Sequence, residues 1–324
     1  MTGIDHIAGR PGFGARLTNA LLRATRAKTP LDVGDPAALI AARGKLDRFD
    51  AGMARLQRRA SRPFTAEDAD IAGVAVKTLA IVDPVAPRRA NDVLLFVHGG
   101  GFFFRSIHGH MLMAARIARA AGIGRVVLPL YRLAPEHAYP AAQDDCLAVY
   151  DALLADGVDA GDIVVAADSA GAALALGMLL RARDRGRRLP RAVALMSPMT
   201  DLSYAGASIA ENAERDPMLG GQPMPAPAYY LGDADPADPG CSPLFADLLG
   251  LPPLLVQVGS TERLRDDGVR LAAPAIAAGV PVRVEVWPGM PHVFQAYDFR
   301  EARQARARIA TFLRGDASLP RQTG

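Results

Sequence analysis

The sequence predicts an α/β fold, a mostly parallel central sheet with helices on both faces. Short β-branched apolar runs alternate with helix-length segments from residue 93 onward. The runs are apolar almost without interruption, as strands buried on both faces are. Turn-rich, glycine-bearing stretches follow several runs, which puts loops at one edge of the sheet.

Taken in order, residues 74–82 alternate apolar and polar side chains and read as an outer strand. Residues 93–97, 125–130, 162–166, 192–196, 254–258 and 282–287 read as buried strands. Between them, 111–121, 141–155, 170–183 and 266–278 have helical length and composition. Two stretches fall outside this pattern. Residues 1–65 are rich in Arg and Ala, with Leu17, Leu21 and Leu22 forming an apolar face suited to packing over something; 204–240 carries many Pro and Gly residues. The expected division is an N-terminal cap segment at 1–65, a core at 66–203 and 241–324, and a cap insert at 204–240. The plainer alternative is a packed extension plus a long surface loop.

The chain has 324 residues, half of them hydrophobic and 22% charged, the composition of a soluble globular protein with ample core. Its net charge of +3 is carried almost wholly by arginine, since Lys28, Lys45 and Lys77 are the only lysines. The densest basic run, 181–191, contains Gly186 and Pro190 and no aromatics, so it reads as a solvated helix end, and no nucleic-acid partner is expected. Cys146 and Cys241 are too few for a disulfide framework, which fits a reducing compartment. No apolar run is long enough for a membrane span, and Asp5, His6, Arg10 and Arg16 interrupt any signal-like region. A cytoplasmic protein is expected.

The chemistry concentrates at four strand ends. Ile163-Val164-Val165-Ala166-Ala167-Asp168-Ser169-Ala170-Gly171 is a strand ending on a hydroxyl among small residues, the outline of a nucleophile elbow. Taken alone, it could equally be a βα loop with a serine N-cap. After residues 93–97 comes His98-Gly99-Gly100-Gly101-Phe102, whose glycines let the backbone N–H groups converge on an anion, as an oxyanion hole requires. His98 is expected to brace this loop. A serine nucleophile needs a base and an orienting carboxylate. His292 lies in a turn-rich loop after 282–287, and Glu262 follows 254–258; Asp266 and Asp267 compete with Glu262 but suit the start of the next helix. The order Ser, acid, His is that of α/β-hydrolases. His108 and His110 lack a third ligand nearby, and no dinucleotide fingerprint or P-loop occurs, so neither metal nor organic cofactor is expected.

With these residues in hand, the chain resembles the hormone-sensitive-lipase-like group of α/β-hydrolases, the bacterial family IV carboxylesterases, over roughly 75–315. The carriers are His98-Gly99-Gly100-Gly101-Phe102, Tyr131-Arg132-Leu133-Ala134-Pro135-Glu136-His137, Asp168-Ser169-Ala170-Gly171, Ser197-Pro198-Met199-Thr200-Asp201-Leu202, the Glu262 segment and Gly289-Met290-Pro291-His292-Val293-Phe294. The resemblance implies an α/β-hydrolase fold with a helical cap, Ser169 as nucleophile, His292 as base and Glu262 as acid. It also implies oxyanion donors at the N–H groups of Gly100, Gly101 and Ala170. Two departures bear on geometry. Ala167 and Ala172 replace the usual outer glycines of the elbow, adding two methyl groups, and Glu262 is one methylene longer than the commoner aspartate.

The expected activity is cofactor-independent hydrolysis of short-chain acyl esters through an acyl-enzyme, with a small-molecule ester as partner. A lactone hydrolase would use the same residues, and a non-catalytic binding protein could share the scaffold. The sequence leaves a homodimer open.

Overall fold

The computed structural model describes residues 3–25, 32, 35–57, 64–85, 91–221, 224 and 228–315. Parts of the expected cap segment and insert, Lys28 among them, and the end of the 241–324 core lie outside the described residues. The elements run β1 (Gly3–His6), α1 (Phe13–Thr25), α2 (Pro36–Gln57), β2 (Phe64–Ile71), β3 (Val74–Ile81), β4 (Val93–Val97), α3 (Ile107–Ala121), β5 (Arg125–Pro129) and α4 (Ala141–Ala155). They continue as β6 (Ile163–Asp168), α5 (Ala170–Asp184), β7 (Val193–Met196), α6 (Ser208–Glu211), α7 (Ala228–Leu231), β8 (Leu254–Gly259), α8 (Arg265–Arg270), α9 (Ala272–Ala277), β9 (Val282–Trp287) and α10 (Arg300–Leu313).

Nine strands form one sheet in the order β1-β9-β8-β7-β6-β4-β5-β3-β2, parallel except where β3 pairs with β2 and β5. Every residue of β4, β6, β7, β8 and β9 is buried, which explains why they are mostly apolar; the polar exceptions include Gln257 of β8 and Arg283 and Glu285 of β9. One apolar cluster, with residues of α4 and α5, covers one face; another, with residues of α3 and α10, covers the other. This is the α/β-hydrolase architecture expected from the sequence.

Two strands escape the sequence reading. β2, with Glu67, Asp68 and Asp70, is exposed along nearly its whole length because it lies at the sheet edge, so neither face needs an apolar side chain. Charge at such an edge discourages pairing with another chain. A two-residue turn at Ala72 and Gly73, both with positive φ, joins it to β3, which is therefore not the outermost strand. At the far edge β1 pairs in parallel with β9, Gly3 opposite Arg283, although the sequence reading leaves these residues outside the sheet. Four mostly exposed residues carry no periodicity to read.

The N-terminal helices also correct an expectation. Leu17 and Leu21 are 59% and 61% exposed, whereas α1 docks through buried Ala15 and Asn19, the latter donating to the Gly289 carbonyl at 2.9 Å. The single helix expected over 266–278 is two, because Pro274 has no N–H for the carbonyl of Arg270. No helix among the described residues is long and apolar enough to cross a membrane.

Candidate active site

Ser169 occupies the one-residue bend between β6 and α5, with φ 51° and ψ −126°. A serine held at such angles costs about 1–3 kcal/mol, so its surroundings must enforce the bend. Its N–H donates to the Met196 carbonyl and its carbonyl accepts from Ala172 and Met199, each at 3.0 Å. The helix start then lies hard against β4. A Cβ on Gly171 would come within 2.3 Å of the Val97 carbonyl oxygen, so this glycine is sterically required. Ala167 and Ala172, by contrast, are both buried without displacing the turn, which absorbs the two extra methyl groups.

The Gly99–Gly101 loop leaves β4 beside this bend. A Cβ on Gly99 would lie 2.4 Å from Asp168 Oδ2, and Gly100, at φ 116°, would clash with the Phe104 carbonyl. Gly99 donates its N–H to Asp168 Oδ1 at 3.1 Å. The N–H groups of Gly100, Gly101 and Ala170 donate to no acceptor among the described residues. His98 braces the loop from below: Nδ1 lies 2.7 Å from the Gly99 carbonyl and the ring stacks between Tyr131 and His110, at centroid distances of 4.2 and 5.1 Å. Tyr131 in turn donates to the His98 carbonyl at 2.7 Å. Burial, reinforced by His110, lowers the His98 pKa to about 3, so this imidazole stays neutral.

His292 follows β9. Its backbone is fixed by the next residue, Val293, which is left-handed and donates to Ser197 Oγ at 2.9 Å. Nε2 of His292 lies 3.0 Å from Ser169 Oγ, and Nδ1 lies 2.7 Å from Glu262 Oε2. The glutamate's extra methylene is taken up by a tight turn after β8, in which Gly259 donates to Glu262 Oε1 at 2.6 Å. Burial alone would lower the His292 pKa; the hydrogen bond and negative charge of Glu262 outweigh it and raise the imidazole above its ordinary value. Burial pushes Glu262 up against the same partnership.

Asp266 and Asp267 begin α8, as expected for helix-start carboxylates. Asp266 accepts from the Ser208 N–H and Asp267 from the N–H groups of Thr200 and Asp201, away from His292. His108 and His110 lie in the first turn of α3. Two residues of the segment 204–240 that carry no sequence signal also hold the site. Asn212 Nδ2 donates to the Glu262 carbonyl at 2.9 Å, and Asp216 Oδ2 accepts from the Arg263 N–H at 2.9 Å. Nothing in an irregular Pro- and Gly-rich stretch marks them.

Ser169, His292, Gly100 and Gly101 open into one cavity of about 420 Å³. Its far wall is apolar, made by Met113, Met199 and Leu264 of the core, Leu46 of α2, and Leu219 and Met224 of the insert.

A description of the alpha/beta hydrolase fold family matches residues 94–296. An esterase of Acinetobacter venetianus is 40% identical over 231 residues, covering 70% of this chain and 76% of that protein. An acetyl-hydrolase of Streptomyces hygroscopicus is 40% identical over 230 residues, covering 70% and 77%. The crystal structure of an esterase from the bacterial hormone-sensitive lipase family superposes with a TM-score of 0.79 at 36% identity, covering 96% of this chain and all of the other. That of EstE5 soaked with p-nitrophenyl butyrate gives 0.81 at 34% identity, covering 95% and 100%. The chain belongs to the α/β-hydrolase family. Within it, its likeness is to the hormone-sensitive-lipase-like esterases.

Proposed function

We propose that this protein is a serine carboxylesterase for short-chain acyl esters, working through Ser169, His292 and Glu262. An esterase of the α/β-hydrolase type is what its relatives support. The observation that carries the mechanism is the unbroken chain from Glu262 Oε2 to His292 Nδ1 at 2.7 Å and from Nε2 to Ser169 Oγ at 3.0 Å, opening into an apolar cavity.

Glu262 fixes the tautomer with the proton on Nδ1, leaving Nε2 free to accept the Ser169 proton as Oγ bonds to the ester carbonyl carbon. The carbonyl oxygen becomes an oxyanion facing the uncommitted N–H groups of Gly100, Gly101 and Ala170. Collapse breaks the carbon–oxygen bond to the alcohol, which leaves with the proton held on Nε2. Water then attacks the acyl-enzyme, gives its proton to His292, and the acid departs as Ser169 recovers its hydrogen.

The cap reading is supported by the cavity wall, to which both extra segments contribute, Leu46 from residues 1–65 and Leu219 and Met224 from 204–240. Arg43 fastens the N-terminal part, donating to the carbonyls of Phe103 and Ala134 and pairing with Glu136. The test is incubation with a small fluorophosphonate followed by peptide mass mapping, together with rates on p-nitrophenyl esters of graded length. Labelling confined to Ser169 and hydrolysis of acetyl and butyryl esters are expected. Labelling elsewhere with Ser169 unmodified overturns the assignment.

A further inference from the structure

An arginine, Arg105, lines the cavity beside its apolar wall. Arg105 follows Phe102 and Phe103, whose side chains are buried, and its own side chain is only half-buried. The segment carrying it is pinned on both sides. Arg43 Nε bonds the Phe103 carbonyl at 2.8 Å, and Ser106 Oγ donates to Asp50 Oδ1. Arg105 therefore projects from a fixed backbone.

The guanidinium makes no hydrogen bond or ion pair among the described residues. Both carboxylates nearby are engaged elsewhere. Asp50 also accepts from the N–H groups of His108 and Gly109, while Asp168 accepts from Gly99 and lies 3.7 Å from His110 Nε2. Arg105 also lies close enough to the buried His98 and Tyr131 for its charge to be felt there, as the weakest of several influences, burial being the largest. A guanidinium presents a planar fork of donors, and partly withdrawn from water among methionines it gains most from a carboxylate that can take two of them. Nothing in the ester chemistry itself requires a cation at this place, because the oxyanion is served by backbone N–H groups.

We propose that Arg105 selects esters carrying a carboxylate remote from the scissile bond, monoesters of dicarboxylic acids being the simplest case. This rests on the cavity being the ester site. The carboxylate pairs with Arg105 while the ester carbonyl sits at Ser169. The remaining wall, Met199, Leu219 and Met224, covers the methylenes between them.

The test compares kcat/KM for p-nitrophenyl hydrogen glutarate with that for its methyl ester, which is uncharged and larger by one methyl group. A second arm compares 4-acetoxybenzoate with methyl 4-acetoxybenzoate, placing the charge on the alcohol side. Each ratio is measured in wild type, Arg105→Leu and Arg105→Lys, with the neutral ester as internal reference. Charge-assisted pairing of this kind predicts that the charged-to-neutral ratio falls about 10-fold or more in Arg105→Leu, and less in Arg105→Lys, in the arm whose geometry fits. In wild type alone, added NaCl should raise KM for the charged ester of that arm and leave its neutral twin unaffected. Ratios that do not move in either arm, or a charged ester indifferent to salt, overturn the proposal while leaving the esterase reading intact. A wild-type protein inert toward every ester overturns that reading instead.

Discussion

The backbone N–H of Arg263 donates to Asp216 Oδ2 at 2.9 Å, fastening the residue after Glu262 to the segment 204–240. The other oxygen, Oδ1, accepts from the N–H groups of Met218 and Leu219, which line the cavity, at 2.8 and 3.0 Å. One fully buried carboxylate thus ties the Glu262 loop to the cavity wall. Asp216→Ala would strand three donors, each unpaired group costing about 1–3 kcal/mol, so a loss of about 3 kcal/mol or more in urea denaturation is expected. Asp216→Asn keeps an acceptor and should lose less. Its negative charge also helps raise the His292 pKa, so Asp216→Asn should move the acidic limb of kcat to lower pH.

Ser169→Ala removes the oxygen that the proposed mechanism makes the nucleophile, and little volume. Turnover on p-nitrophenyl butyrate should fall by about 10⁶ with an unchanged circular dichroism spectrum. Retention of a few per cent of activity in pure variant would exclude Ser169 as nucleophile.

Three carboxylates crowd residues 262–267, and the structure separates their effects. Glu262→Gln should lower kcat most, because only Glu262 contacts His292. Asp267 is pushed up to about 7 by burial, opposed by the N–H groups of Thr200 and Asp201. A folded pKa raised above the unfolded one stabilises the protein at low pH, and the contribution disappears as pH rises through about 7. Asp267→Asn should therefore flatten that part of the stability profile, measured by thermal unfolding from pH 5 to 8, while affecting kcat less than Glu262→Gln.

The rate should rise with pH through a value above the ordinary 6.5 of histidine, since only neutral His292 accepts the serine proton and Glu262 holds the imidazole's pKa up. His98 cannot be the source of this limb, being neutral down to about pH 3. The stability contribution of the His292–Glu262 pair runs the other way: it is complete below the unfolded histidine's pKa and is lost as pH passes the raised folded value. Activity and this part of the stability should therefore cross in opposite directions, and Glu262→Gln should shift the acidic limb downward.

Much of the site is legible from sequence because its parts sit where local signals are strong. Ser169 interrupts a β-branched run among alanines, the Gly99–Gly101 triplet ends another, and Glu262 and His292 follow strands apolar enough to identify alone. β1 and β2 are not legible, because edge strands facing water have no burial to impose a pattern. Asn212 and Asp216 escape for another reason: their partners are backbone groups some fifty residues on, and such pairing leaves no periodic trace.

Acyl-chain preference is better tested in the cavity wall than at the N-terminus. Deleting residues 1–30 would remove β1 and uncover β9, so a changed profile would report damage to the sheet as well as to the pocket. A substitution in the wall is cleaner. Met224→Trp should move the preferred acyl chain toward acetyl, with each methylene that no longer fits costing about 0.8 kcal/mol in kcat/KM across acetyl, butyryl and octanoyl esters. An unchanged profile would place the acyl chain against another part of the wall.

The pairing of Gly3–His6 with β9 sets an order of assembly. Gly3 emerges from the ribosome long before Arg283, its neighbour in the sheet; at roughly 5–20 residues per second the interval is on the order of tens of seconds. Throughout that time β1 has no strand to join. The same wait governs His292, which follows β9 directly, so among the described strands the last in chain order both pairs with the first and carries the histidine that sits 3.0 Å from Ser169 Oγ. Truncated nascent chains ending before residue 282 lack the histidine that the proposed mechanism pairs with Ser169, and they should remain inert toward esters until synthesis is complete.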